Sequence, residues 1–274
     1  MFLTIALFLA TPEAPENRLA VAEKIYHQIA GRKVSLATPI LINLRVPGGN
    51  LSSCFITAID DSLDNIFYNV SAIAQISKNG GGVGVNLSRI RAAGGEIRSV
   101  PNASGGVIPW IKIVNDTAVA VNQLGKRSGA VTVALDVWHR DIEDFLELQT
   151  ENGDQRKKAY DLFPQVVIPD LFMERVKANK DWVLFDPDEV KRLHQTSLAD
   201  LWGAEFEKTY LRLEVDPNMV LAKKVSARDL FKRIMKSQLE TGMPYLFFKD
   251  TVNQANPNKH DGMIGSGNLC QESF

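Results

Sequence analysis

The sequence predicts an α/β protein with parallel strands, and three observations lead there. Short runs rich in Val, Ile, Leu and Phe recur along the chain, among them Val83, Val85 and Leu87, then 130–135, 165–168, 182–185 and 245–248. Segments with apolar residues at helical spacing lie between them. The two kinds of segment alternate regularly, an order that favours a sheet whose strands are connected through helices.

The first ten residues read as the end of a buried helix. No Lys or Arg precedes their apolar run, as a secretory signal would require, and nowhere does the chain reach the roughly 18 uninterrupted apolar residues of a membrane span. Pro15 and Glu16 open a second helix, with Leu19, Ala22, Ile25, Tyr26 and Ile29 on its apolar face and Gly31 closing it. A polar connection marked by Pro and Gly then runs to Cys54. From Ser62, the positions Leu63, Ile66, Phe67, Val70, Ile73 and Ala74 form another helical stripe that ends at Asn79-Gly80. The alternating Val83, Val85 and Leu87 follow as a strand. A helix over 109–124, with Ile111, Val114, Ala118 and Val121 inward, leads through the turn 125–129 into the strand 130–135. Further on, a short helix near 141–148, helices at 170–178, 199–211 and 226–241, and the three later strands complete the alternation. The polar stretch 250–267 reads as a long loop, and loops of that length usually carry function or are disordered.

With 274 residues, 45% of them hydrophobic and 23% charged, the chain has the make-up of a folded globular protein. The division expected is a helical segment over 1–50 and an α/β region over 51–274. A formal charge of −1 argues against a dedicated nucleic-acid binder, and no membrane association is expected. Two cysteines make no disulfide framework, which points to a reducing, cytoplasmic setting. The four histidines, His27, His139, His194 and His260, lack metal-ligand spacing, so no protein-bound metal is expected.

The cysteines have unusual neighbours. Cys54 ends Leu51-Ser52-Ser53-Cys54, and Cys270 lies between Asn268 and Glu272. In an extended segment those three side chains would share one face, which suits radical or acid/base chemistry; the bland alternative is two buried core thiols. The run Gly80-Gly81-Gly82-Val83-Gly84 follows a helix and precedes a strand, the reverse of a dinucleotide fingerprint, and lacks the Lys-Ser/Thr of a phosphate-binding loop. It reads as a tight turn with close backbone approach. Arg89, Arg91 and the turn 122–129 place cations on loops, either as solvated basic turns or as phosphate contacts. Asp61 precedes a helix and could be a simple N-cap.

Taken in order, Ala37-Thr38-Pro39, Leu51-Ser52-Ser53-Cys54, the glycine run leading to Ser88-Arg89-Ile90-Arg91-Ala92, the 123–129 turn, Val137-Trp138-His139 and Asn268-Leu269-Cys270-Gln271-Glu272 form a constellation. The chain resembles the catalytic large subunit of ribonucleotide reductase, over nearly its whole length. The resemblance implies the first half of a ten-stranded α/β barrel, preceded by a residual helical segment, with a finger loop carrying a radical cysteine. It implies Cys270 as the thiyl radical, Glu272 as general base, Asn268 as hydrogen-bond partner of the sugar hydroxyls and Cys54 as the reducing thiol. Ser53 and Thr38 match positions near the substrate's sugar and phosphate. Asp61, Arg91, Gln123 and Arg127 match an allosteric site for deoxynucleoside triphosphates or ATP.

The same resemblance implies partners: a radical-generating dimetal small subunit (alternatively adenosylcobalamin), thioredoxin or glutaredoxin as electron donor, a second large subunit in a homodimer, and the C-terminal half of the large subunit. The N-terminal ATP-cone domain of many relatives is not matched. Because the sequence ends two residues after Glu272, a split gene, an intein or intron boundary, or a truncated fragment is expected, inactive alone. The alternative is a non-catalytic nucleotide-binding or subunit-interaction segment.

Overall fold

The computed structural model describes residues 1–122 and 128–271. Gln123 and Arg127, and likewise Glu272, therefore lie outside the described residues. Three helices come first: α1 (Phe2–Leu9), α2 (Arg18–Ala30) and α3 (Thr38–Asn43). They share a small core of Ile5, Ile29 and Leu44, with Ile25, Ile40 and Leu51 packed around it. The expectation of a buried first helix is corrected here. Ile5 and Ala6 are buried, but Leu3, Leu7 and Phe8 are exposed, because α1 is apolar all round and finds neighbours on one side only. Leu19 also faces outward, as α2 begins at Arg18 rather than at Pro15.

The rest of the chain is organised by a five-stranded parallel sheet in the order β1-β2-β3-β4-β7. Its strands are β1 (Cys54–Ala58), β2 (Gly82–Asn86), β3 (Val131–Asp136), β4 (Phe163–Ile168) and β7 (Tyr245–Phe248). Helix α4 (Leu63–Lys78) connects β1 to β2 and α5 (Ile108–Ala120) connects β2 to β3, each a crossover of the kind parallel strands require. Ile66, Ile73, Ile111 and Val114 from these helices meet Val83, Val85, Val131 and Val133 in the main core. Leu63 and Phe67, expected inward, are exposed.

A second unit interrupts the alternation. After β4 come α7 (Asp170–Ala178), β5 (Asp181–Leu184), α8 (Pro187–His194), α9 (Gly203–Glu214), β6 (Lys223–Ser226) and α10 (Ala227–Thr241), while a one-turn α6 (Ile142–Phe145) precedes β4. The strand expected at 182–185 is real but does not join the parallel sheet; it pairs antiparallel with β6. The stack of Trp182 on Tyr210, centroids 4.2 Å apart, and the bond from Trp182 Nε1 to the Val137 carbonyl anchor this unit beside the end of β3. Finally, α11 (Lys249–Ala255) takes the first part of what reads in sequence as one long loop.

The two faces of the main sheet differ in kind. Val83, Val85, Val131, Val133, Leu135, Val166 and Ile168 face the helices, a near-continuous aliphatic layer. Register places Cys54 beside Gly82, Ile56 beside Gly84, Gly84 beside Thr132, and Ala134 beside Gln165, so the opposite face carries small and polar residues along β2 and β3, with an apolar group of Val167 and Phe247 on β4 and β7.

Candidate functional site

The chain after α11 returns across that small and polar face. Asn253 clamps both backbone groups of Ile264, receiving its N–H at 2.8 Å and donating to its carbonyl at 2.9 Å. Asn86 Nδ2 donates to the Gly265 carbonyl at 3.0 Å. Two residues further along the return segment and two back along β2, a Cβ on Gly84 would overlap the Gly267 carbonyl and lie 3.1 Å from the Asn268 Cα. After another such step, a Cβ on Gly82 would overlap the Leu269 side chain. Residues 265–269 thus run antiparallel to β2 in direct contact with it. Only glycine permits that approach, which accounts for Gly82 and Gly84 of the glycine run.

Thr132 Oγ1 donates to the Leu269 carbonyl at 2.7 Å. Gln165 Oε1 accepts from Gly267 N at 3.3 Å, and its Nε2 donates to Gln271 Oε1. Leu269 sits over Gly82, and Cys54 is the partner of Gly82 on a strand about 4.8 Å away, so Cys54 and the return segment share the β2 side of this face. Cys54 is half-buried, with Sγ 3.7 Å from Ser53 Oγ, and Cys270 is exposed. Neither is a core thiol.

The extended geometry expected around Cys270 is corrected. Gln271 has φ 65°, and Asn268 is 2% exposed while Cys270 is exposed, so the segment is a turn whose side chains diverge. Asn268 is notable chemically: neither its Nδ2 nor its Oδ1 has a hydrogen-bond partner among the described residues. A buried amide without partners costs on the order of 1–3 kcal/mol and is therefore rare in a folded chain. Thr38, in the first turn of α3, is exposed and makes no side-chain hydrogen bond among the described residues.

Asp61 and Arg91 do come together. Arg91 Nε donates to Asp61 Oδ2 at 2.7 Å, another of its nitrogens to the Glu96 carbonyl, and Asp188 lies 3.6 Å away. The N-cap of α4 is Ser62, which accepts from Asn65 N, so Asp61 is free for this pairing. Arg89 forks onto Asp60 at 2.7 Å and Asp200 at 2.6 Å. These groups, with Lys191 of α8, line a cavity of about 450 Å³. The turn carrying Arg91 is held by buried groups. Asp186 accepts from Ala92 N at 2.6 Å and caps α8 at Glu189 N, Asp141 accepts from Ala93 N and Val107 N, and His139 Nε2 donates to the Ile90 carbonyl at 2.8 Å. Burial raises the Asp186 pKa above the ordinary carboxylate value, although both backbone bonds oppose the shift. A larger cleft of about 690 Å³, lined by Gln149, Asp161, Glu240 and Met243 among others, contains none of the candidate residues.

Thr132, Gln165, Asn86 and Asn253 are not among the sequence-derived candidates. The available signal was a lone polar residue inside an apolar strand, most visible in Val131-Thr132-Val133.

The family model described as the ribonucleotide reductase barrel domain matches residues 52–274, and the one described as the ribonucleotide reductase all-alpha domain matches residues 1–49. The chain belongs to the ribonucleotide reductase large-subunit family. It is 61% identical over 274 residues to the ribonucleoside-diphosphate reductase subunit alpha of Synechocystis sp., covering 99% of this chain and 36% of that protein. The subunit alpha of Helicobacter pylori is 43% identical, with 100% of this chain and 34% of the relative covered. The large subunit of Arabidopsis thaliana is 44% identical over 250 residues, covering 90% of this chain and 30% of the relative. The chain therefore spans about a third of the length of the curated relatives it matches. No helix among the described residues is long and apolar enough to cross a membrane.

Proposed function

We propose that this chain supplies the radical-cysteine segment and the effector cavity of a ribonucleoside-diphosphate reductase, its α/β region beginning near residue 51 after a helical segment over 1–50. The observation that carries the reading is Asn268: a buried amide whose Nδ2 and Oδ1 have no hydrogen-bond partner among the described residues, next to Leu269, which packs on Gly82 beside Cys54. A sugar with adjacent hydroxyls is the kind of ligand that would use both its donor and its acceptor.

In this reading a thiyl radical on Cys270 takes the hydrogen atom from C3′, forming S–H and leaving a carbon radical. Glu272 accepts the 3′-hydroxyl proton, and the Cys54 thiol gives its proton to the 2′-hydroxyl, which leaves as water. Cys54 and a second cysteine, which the family carries outside these 274 residues, supply two electrons as they form a disulfide, the second thiol's hydrogen goes to C2′ in place of the lost hydroxyl, and Glu272 gives its proton back to the 3′-oxygen. Cys270 then returns its hydrogen atom to C3′. Ser53 and Thr38 bind near the sugar and phosphate. Asp61 and Arg91, with Gln123 and Arg127 on the following turn, bind a deoxynucleoside triphosphate or ATP. The radical comes from a dimetal small subunit (alternatively adenosylcobalamin), and thioredoxin or glutaredoxin reduces the disulfide. The enzyme acts in the cytoplasm as a homodimer of large subunits.

The test is effector-dependent reduction of ribonucleoside diphosphates by a complete subunit alpha carrying this segment, with its radical-generating partner. Cys270→Ser abolishes turnover and leaves effector binding intact. Turnover unchanged in Cys270→Ser would show that the chemistry lies elsewhere.

A further inference from the structure

Thr132 on β3 and Gln165 on β4 grip the return segment on both sides of Cys270. We infer that they are positioning residues for its thiol, an inference that rests on the reading of Cys270 as the reacting group. Both side chains are fully buried. Burying a hydroxyl or an amide is unfavourable unless it is hydrogen-bonded. Among the described residues, every side-chain hydrogen bond these two make goes to residues 267–271.

The covalent geometry explains why these bonds govern the sulfur. The Leu269 carbonyl that accepts from Thr132 lies in the peptide plane that also contains the Cys270 N and Cα. Fixing that oxygen orients the plane from which the thiol hangs, leaving only the backbone rotation at Cys270 and its side-chain torsion. Gln165 acts on the flanks. It receives the Gly267 N–H before the cysteine and donates to the Gln271 side chain after it. Gln271 in turn donates to the Asn268 carbonyl at 2.6 Å, closing the tight turn whose φ at Gln271 is 65°. The cysteine is thus suspended between two tethers on adjacent sheet strands, a rigid base of the kind precise chemistry needs. A hydrogen-atom transfer depends on close approach of the reacting atoms, and a misplacement of about 1 Å costs on the order of 100-fold in rate.

Thr132→Val preserves shape and removes the donor, while Thr132→Ser restores the hydroxyl. In the 274-residue chain, amide hydrogen exchange over residues 264–271 becomes roughly tenfold faster in Thr132→Val and returns towards the original rate in Thr132→Ser. Exchange in α4 stays unchanged and reports an intact fold. Gln165→Glu, which keeps the acceptor for Gly267 and turns the donor facing Gln271 into a second acceptor, is the independent variant. It accelerates exchange in the same residues. In a complete reductase, Thr132→Val lowers kcat by roughly 100-fold with KM little changed, and Thr132→Ser recovers most of it. Unchanged exchange in both Thr132→Val and Gln165→Glu, or an unchanged kcat for Thr132→Val in an active reductase, overturns the inference. An unaltered complete subunit that reduces no ribonucleotide, with the exchange result intact, overturns the functional reading instead.

Discussion

The return segment over β2 and the cavity around Arg91 are both built from polar side chains, yet they work by opposite physics. Over β2, neutral side chains that are nearly or wholly buried bond to the backbone, and glycines let that backbone settle onto the strand. Around Arg91, charged side chains bond to other charged side chains at partly exposed positions. The first arrangement specifies where a segment lies and can hardly adapt. The second holds guanidinium groups against carboxylates that an incoming phosphate can displace, so it suits recognition of a charged ligand. Position and recognition are thereby separated, in one chain, by the kind of hydrogen bond used.

If that separation holds, variants in one region should leave the other unmoved. The largest effect is expected for Gly84→Ala, whose added methyl meets backbone rather than a flexible side chain. It should lower unfolding stability by roughly 2–3 kcal/mol in denaturant titrations and eliminate turnover in a complete reductase, while nucleotide binding at the Arg91 cavity persists. Unaltered stability would show that the segment does not lie as close to β2 as described.

Next comes Asp61→Ala, expected to weaken effector binding by roughly tenfold in calorimetric titrations, with no change of hydrogen exchange at 264–271. Equal affinity would remove Asp61 from the binding set. Asp200→Asn should have a smaller effect. It leaves Arg89 with Asp60 alone, and since these groups are about half exposed, a loss under about 1 kcal/mol is expected, shrinking further in high salt. Variants of Thr132 should show no such salt dependence.

The smallest effect concerns Asp136, buried at the end of β3 with Lys249 3.7 Å away. Burial raises its pKa despite Lys249, the nearby Ser88 and Trp138 side chains, and His139. The fold therefore favours the protonated form, and Asp136 contributes stability that is present below the ordinary aspartate pKa and lost as pH rises through the raised value. Asp136→Asn should flatten the dependence of unfolding free energy on pH above the ordinary aspartate pKa, whatever it does to the absolute value. An unchanged slope would mean that Asp136 titrates alike in the folded and unfolded states.

The helices Leu63–Lys78 and Ile108–Ala120, the second ending before the 124 expected for it, and the strands Gly82–Asn86 and Val131–Asp136 were legible because each buries a recurrent set of apolar residues, even though Leu63 and Phe67 face outward. β1 was not, since Cys54–Ala58 sits at a sheet edge and its burial is mixed. α8 escaped because only three of its residues are buried among charged ones, and α11 because its sequence, rich in polar residues, has no clear apolar stripe. β5 read correctly as a strand, but its partner did not, because an antiparallel pairing with β6 about forty residues away leaves no local trace.

At the candidate site, Cys54, Asn268, Cys270, Asp61 and Arg91 stood out through residue type and order. Thr132, Gln165, Asn86 and Asn253 did not. Their importance comes from the backbone groups they meet 11, 102, 137 and 179 positions along the chain.

Read alone, the chain determined its class, its alternation of helix and strand, and the side chains able to carry chemistry, since these follow from local periodicity and from what each residue can do. Only the tertiary structure decided that Gly82 and Gly84 make room for the cysteine segment, that Asp61 faces Arg91, and that the Asn268 amide is buried without partners among the described residues. Such facts depend on which distant backbone passes within contact range, and that is settled by packing and chain return rather than by neighbouring residues.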